Sequence, residues 1–95
     1  MNTTRAFEWD ENKAQSNLAK HGVPFASALR LFADSWLIEF EASKPEDGEV
    51  RHKAVGVIAG RLFTVVYVSC AGVIRIISAR RSNRSEARRY GPLHP

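Results

Sequence analysis

The residues able to do chemistry in this 95-residue chain are mostly cationic. They are Arg51, Lys53, Arg61, Arg75, Arg80 and Arg81, joined by Lys13, Lys20, His21 and Tyr90. Such a set suits cleavage of an RNA phosphodiester without a metal. A base must take the 2′-hydroxyl proton, an acid must protonate the departing 5′-oxygen, and cations must stabilise charge growing on the phosphorane oxygens. Arginine fits the last task because its planar fork binds two phosphate oxygens at once. Histidine, or a lysine of lowered pKa, can move the protons. Modules that only grip RNA or DNA carry the same residue types, so the kit belongs equally to an enzyme and to a binder.

The basic residues are unevenly spread. The net charge is +4, yet residues 1–47 carry five Lys/Arg against eight Asp/Glu, and residues 48–95 carry nine against two. Arg75–Tyr90 alone holds six arginines and one glutamate, Glu86. That asymmetry points to one face built for an anionic partner; the plainer reading is a solvated basic face. Other chemistries find no template: the chain has no glycine-rich phosphate loop, HExxH, CxxC or nucleophile elbow. His21, His52 and His94 lack metal-ligand spacing, so neither a metal nor a cofactor is expected. The single cysteine, Cys70, excludes an internal disulfide and reads as a buried, inert thiol within an apolar strand. A hydrophobic fraction of 44% and a charged fraction of 25% describe one ordinary soluble domain over residues 1–95. No segment approaches the ~20 apolar residues of a membrane span, and the N-terminus lacks a signal peptide's apolar core. A cytoplasmic protein is expected.

The elements that must position these residues follow from the hydrophobic period. Phe7-Glu8-Trp9 reads as a short strand. Asp10 caps a helix to about His21, closed by Gly22, with Ala14, Leu18 and His21 on its core side and Lys13, Asn17 and Lys20 on a polar stripe. Val23-Pro24 opens a second helix to about Asp34, with Phe25, Ala28, Leu29 and Phe32 as its apolar face. Four strands follow: Trp36–Glu41 with Trp36, Ile38 and Phe40 inward, Val50–Ala59, Leu62–Cys70 and Val73–Ala79. Their short connections predict an antiparallel meander. Asn83 caps a short basic helix with Glu86 as its capping-box partner, and Gly91-Pro92 ends it. The fold class is α+β: two N-terminal helices packed on a four-stranded antiparallel meander, then a short C-terminal basic helix.

Several candidates also have structural readings. Strict alternation puts Arg80 on the strand face of Ile74, Ile76 and Ser78, and Arg75 on the other with Ile77 and Ala79. Two arginines on opposite faces cannot serve one pocket unless the strand bends or ends between them. Arg75 therefore suits a structural pair with Glu39 or Glu41, and Arg80, at the strand's end, is the stronger site candidate. His21, beside Leu18, also suits a packed role. Trp9 and Trp36 read as core, with Trp9 able to line a cleft, and Arg84, Arg88 and Arg89 as solvent-facing or partner-facing.

Four blocks taken together carry a resemblance: FEWDENKAQSNLAKHGVPF (Phe7–Phe25), GEVRHKAVG (Gly48–Gly56), RLFTVVYV (Arg61–Val68) and GVIRIISARRSNRSEARRY (Gly72–Tyr90). In order and over nearly the whole chain, they resemble the BrnT family of toxins. The resemblance implies the toxin half of a type II toxin–antitoxin system: a small endoribonuclease of RelE-like fold that cleaves RNA and inhibits translation. It further implies a BrnA-type antitoxin that binds the toxin, and operator DNA bound only through the antitoxin complex. Carried over by motif, the active region falls on Lys13, Lys20 and His21, on Arg61 and on Arg80. Arg80 and Arg61 are expected to hold the scissile phosphate and His21 or Lys20 to move a proton. Lys13, Arg51, Lys53, Arg81 and Tyr90 are expected to contact RNA. Two other readings stand beside this one: a non-catalytic nucleic-acid-binding regulator, and an interaction module whose basic face docks an acidic antitoxin.

Overall fold

Strand-forming segments occupy the beginning and the second half of the chain, and a sheet assembles around the most apolar of them, Arg61–Cys70. The computed structural model describes residues 5–93. In chain order the elements are β1 (Ala6–Trp9), α1 (Glu11–His21), α2 (Phe25–Ala28) continued by a 3₁₀ turn (Leu29–Ala33), and β2 (Ile38–Glu41). A 3₁₀ turn at Pro45–Asp47, β3 (His52–Ile58), β4 (Arg61–Cys70), β5 (Val73–Arg81) and α3 (Arg84–Tyr90) complete the fold. The strands form one sheet of order β1-β5-β4-β3-β2.

The meander is present as β2–β5, each strand antiparallel to the next. Its tight reversals use Ala59-Gly60 and Ala71-Gly72, all four at positive φ, which matches the twist of a two-residue hairpin. The sheet nevertheless has five strands rather than four, because β1 pairs in parallel with β5, Ala6 opposite Val73 through Trp9 opposite Ile76. A pairing across so many residues leaves no local signal. The expected second helix is likewise reduced to one α turn and a 3₁₀ turn. That turn lies close on β3, where a Cβ on Gly56 would meet the Leu31 carbonyl oxygen at 2.9 Å. The architecture is a mixed α+β domain with three helices.

Register alternation assigns the two faces of the sheet. One face carries Ala54, Val65, Tyr67, Ile74, Ile76 and Ala79, and it packs with Val23, Phe25, Ala28 and Leu31 from the helical segment. Burying a side chain such as Phe25 or Leu31 contributes about 1.5–3 kcal/mol. Phe7 and Trp9 join this core, but Leu18 is exposed, because α1 lies along the side of the sheet with Asn17 as its buried residue. Trp36 precedes β2 and is 54% exposed, while Ile38 and Phe40 lie on the opposite face from the main core. Cys70 ends β4 beside the reversal and is exposed rather than buried.

The other face depends on a bulge in β5. Val66 pairs with Ser78 but Tyr67 pairs with Ile76, so Ile77 is an extra residue. The insertion reverses alternation within the strand. Ile74, Ile76 and Ala79 all face the helical layer, whereas Arg75, Ser78 and Arg80 share the open face. The two arginines are therefore not on opposite faces. Arg75 reaches Glu8 of β1, 3.6 Å away, in place of the expected Glu39 or Glu41. Glu39 is instead held at 2.8 Å by both terminal nitrogens of Arg5 and accepts from the Tyr67 hydroxyl.

Asn17 closes the edge of β5 that β1 leaves free. Its amide donates to the carbonyls of Ala79 at 2.8 Å and Val23 at 3.1 Å, and its Oδ1 accepts from the Ala79 N–H at 3.0 Å. One side chain on the expected polar stripe thus replaces a missing strand partner and anchors α1. Asn17→Ala should destabilise the domain by about 2–3 kcal/mol, since it strands buried backbone groups. The check is a urea titration: the midpoint should fall at unchanged m-value, and an unmoved midpoint would contradict this account of the edge.

Candidate functional site

Two rows of the open face bring the basic residues together. In one, Phe40, Lys53, Val66 and Ser78 stand side by side across β2 to β5; in the next, Ile38, Val55, Thr64 and Arg80 do so. α3 returns over this end of the sheet, with the Arg89 guanidinium 3.7 Å from the centre of the Phe40 ring. Asn83 caps α3 by accepting from the Glu86 N–H at 2.8 Å, and Glu86 accepts from the Asn83 N–H at 2.9 Å, as the capping-box spacing requires.

Glu86 does far more than cap. Its carboxylate is 3% exposed and collects the side chains of three strands. Arg80 donates from Nη1 to Oε1 and from Nη2 to Oε2, both at 2.7 Å. Lys53 Nζ lies 2.9 Å from Oε2, and the Thr64 hydroxyl donates to Oε1 at 2.9 Å. Burial pushes the Glu86 carboxyl upward, but the bonds from Arg80, the Asn83 backbone, Lys53 and Thr64 outweigh it and hold the group far below the usual carboxylate range. The hydrogen bonds to Glu86 in turn raise the Arg80 guanidinium, against the smaller opposing effect of burial.

Counting donors shows what Arg80 has left. Of its five N–H groups, Nη1 bonds Glu86 and the Arg81 carbonyl, the latter at 3.2 Å, and Nη2 uses one hydrogen on Glu86. The Nε–H and the second Nη2–H remain, and they form the side-on edge that can take two oxygens of a phosphate.

Two grooves flank the bulge. The first, about 390 Å³, is lined by Asn12, Lys13, Ser16, Asn17, Lys20 and His21 of α1 with Ile77 and Ser78. The second, about 270 Å³, is lined by Ala42, Lys44, Asp47, Arg51, Lys53, Val66 and Arg80, again with Ile77 and Ser78. The bulged pair Ile77-Ser78 is therefore common ground between two cationic walls. Of the expected residues, Lys13, Lys20, His21, Arg51, Lys53 and Arg80 are brought to this surface. Arg51 is partly committed, lying 3.6 Å from Asp47 and 3.4 Å from Glu49.

Three expected residues line neither groove. Arg61 is exposed at the start of β4, beside the Ala59-Gly60 reversal. Arg81 lies over the Phe63 ring at 5.6 Å. Tyr90 is buried, donates to Asp34 Oδ2 at 2.6 Å, and has its phenol pushed up to about 12 by burial and that carboxylate. His94 lies outside the described residues. Sequence reasoning had Glu86 only as a cap, and Ile77 and Ser78 only as strand residues; the acidic residue lying alone among six arginines was the available signal for the first. Among the described residues no group of three or more His, Cys, Asp or Glu is arranged to hold a metal ion, and no helix is long and apolar enough to cross a membrane.

A family model described as the ribonuclease toxin BrnT of type II toxin–antitoxin systems matches residues 9–86. The match runs from Trp9 at the end of β1 to Glu86 itself, and the chain belongs to this family. Membership brings with it an RNA substrate and an antitoxin partner. A comparison with curated proteins gave no match.

The buried carboxylate predicts how stability depends on pH. Glu86 has a depressed folded pKa, so as pH falls the unfolded chain binds its proton first; the stability it contributes is fully present above the ordinary glutamate value of about 4.3 and is lost progressively from there down through the far lower folded value. In urea titrations between pH 6 and pH 3, Glu86→Gln should be less stable than wild type at pH 6, and the difference should narrow below about pH 4.3 without closing at pH 3. Parallel curves would contradict the assignment.

Proposed function

We propose that this BrnT chain is a metal-independent endoribonuclease that cuts RNA laid across Ile77 and Ser78. The observation that carries the reading is the convergence of Lys13, Lys20 and His21 from α1 with Lys53 and Arg80 from the sheet on opposite sides of that one strip. Cleavage by this set proceeds by attack of the 2′-hydroxyl on the adjacent phosphorus. The P–O5′ bond breaks, leaving a 2′,3′-cyclic phosphate and a free 5′-hydroxyl. Arg80 offers its Nε–Nη2 edge to the phosphorane oxygens, Lys53 adds a second cation, and His21 or Lys20 transfers protons. Lys13 and Arg51 hold flanking backbone. Arg61, Arg81 and Tyr90 take no chemical step; the two arginines remain available to RNA outside the grooves.

In the cell the activity would inhibit translation in the cytoplasm until a BrnA-type antitoxin binds the toxin and, through its own DNA-binding domain, brings the pair to their operator. A second reading, a non-catalytic regulator that only grips nucleic acid, rests on the same two cationic walls, which would hold phosphate backbone without any proton-transfer step.

Antitoxin-free protein incubated with ribosome-free RNA in EDTA separates these readings. The expected result is cutting by wild type with 2′,3′-cyclic phosphate ends, and loss of at least about 10²-fold in rate for Arg80→Ala at unchanged fold. Full cleavage by a folded Arg80→Ala protein would remove Arg80 from the site. RNA that is bound but uncut, both free and on ribosomes, would favour the regulator.

A further inference from the structure

The chemistry proposed above uses two cations that share a carboxylate it does not use. A capping glutamate needs one bond to the N-cap amide and normally lies on the helix rim. Glu86 is instead buried at 3% exposure and receives that bond plus donors from β3, β4 and β5. Thr64, opposite Arg80 in the register, adds a neutral donor to Oε1, the carboxylate oxygen that Arg80 Nη1 and the Asn83 N–H also reach. The arrangement exceeds what a helix start requires.

We propose that Glu86 is a positioning residue for RNA cleavage, which locks the end-on edge of Arg80 and the ammonium of Lys53 so that one fixed side-on edge of Arg80 meets the scissile phosphate. The inference rests on the reading that this groove cleaves RNA. Its physical content is an exchange of affinity for geometry. Two untethered cations would hold a phosphodiester anywhere along the groove, an interaction equal in ground and transition states that gives no acceleration. Neutralising one of the two charges gives up part of that uniform attraction. In return the guanidinium is oriented before RNA arrives, so no side-chain ordering accompanies the chemical step. Lys53, held by one of its three hydrogens, keeps two for the substrate.

The account separates binding from turnover. In Glu86→Gln, the Lys53 and Arg80 charges are released, so an RNA with a 2′-O-methyl group at the cut site should bind as tightly as to wild type or several-fold more tightly, with a steeper salt dependence. The kcat on cleavable RNA should fall about 10²-fold. A folded Glu86→Gln protein that retains kcat within about three-fold would overturn the proposal, as would a parallel loss of affinity and kcat. A wild type that neither binds nor cuts RNA overturns the ribonuclease reading itself, which distinguishes the two failures.

Nitrogen-15 spectra of the wild-type guanidinium groups keep the test open where the variant does not fold. On adding the uncleavable RNA, the Arg80 Nη1 protons clamped by Glu86 should stay in place while Nε–H shifts. Displacement of Nη1 with Nε–H unmoved would mean that RNA competes with Glu86 for the end-on edge, and would contradict the proposal.

Discussion

A carboxylate taken out of water must be surrounded by donors, and the end of this molecule is built around satisfying one. An unpaired buried charge costs several kcal/mol, and breaking a buried pair from one side typically costs about 3–5 kcal/mol. Glu86 meets the requirement with donors from three different strands and its own helix start. Those donors can converge only if α3 returns across the open face, if β3, β4 and β5 keep their register, and if Arg80 points to the same side as Thr64 and Lys53. The dependence runs both ways: the ion cluster fixes α3, and α3 brings the counter-charge without which Arg80 and Lys53 would repel at close range.

The bulge is what makes that convergence possible. With regular alternation through β5, Arg80 would face the helical core with Ile74 and Ile76, where a guanidinium has no partners. One inserted residue, Ile77, lets three apolar side chains of the strand enter the core and still directs Ser78 and Arg80 outward. It also leaves Ile77 and Ser78 adjacent at the floor of both grooves. Asn17 completes the arrangement from the other side. By pairing with both backbone groups of Ala79 it holds α1, and with it Lys13, Lys20 and His21, against the same part of β5. The surface made of two cationic walls thus depends on one irregular strand and two buried polar side chains.

Much of this was legible from local chemistry, and what was not is non-local. Asp10 and Gly22 bound the first helix as capping rules require, and Asn83 with Glu86 bounds the last. The meander follows from strand periods and short reversals. The parallel pairing of β1 with β5 does not, because nothing in Phe7-Glu8-Trp9 identifies its partner. The same limit explains Asn17 and Leu18. Their positions on the helical wheel suggest a polar stripe and an apolar face, but helix α1 packs by its edge, so the asparagine is buried and the leucine exposed. Alternation put Arg80 with Ile74 and Ile76 and Arg75 with Ala79; only the separation of Arg75 from Ile74 and Ile76 holds, because a bulge breaks the period between Ile76 and Ser78. The cationic residues themselves were visible; that Arg61, Arg81 and Tyr90 would stand apart from the grooves was not, since spacing along the chain carries no information about which end of a sheet a turn occupies.

The central claim is that RNA crosses β5 at Ile77-Ser78 between the two cationic walls. The most direct measurement is a crystal structure of the chain bound to a short RNA made uncleavable by a 2′-O-methyl group. The account predicts successive phosphates bracketing Ser78, one near Lys13, Lys20 and His21 and one on the Nε edge of Arg80 beside Lys53, with Glu86 still buried. RNA lying instead along Arg84, Arg88 and Arg89 of α3, with both grooves empty, would contradict it.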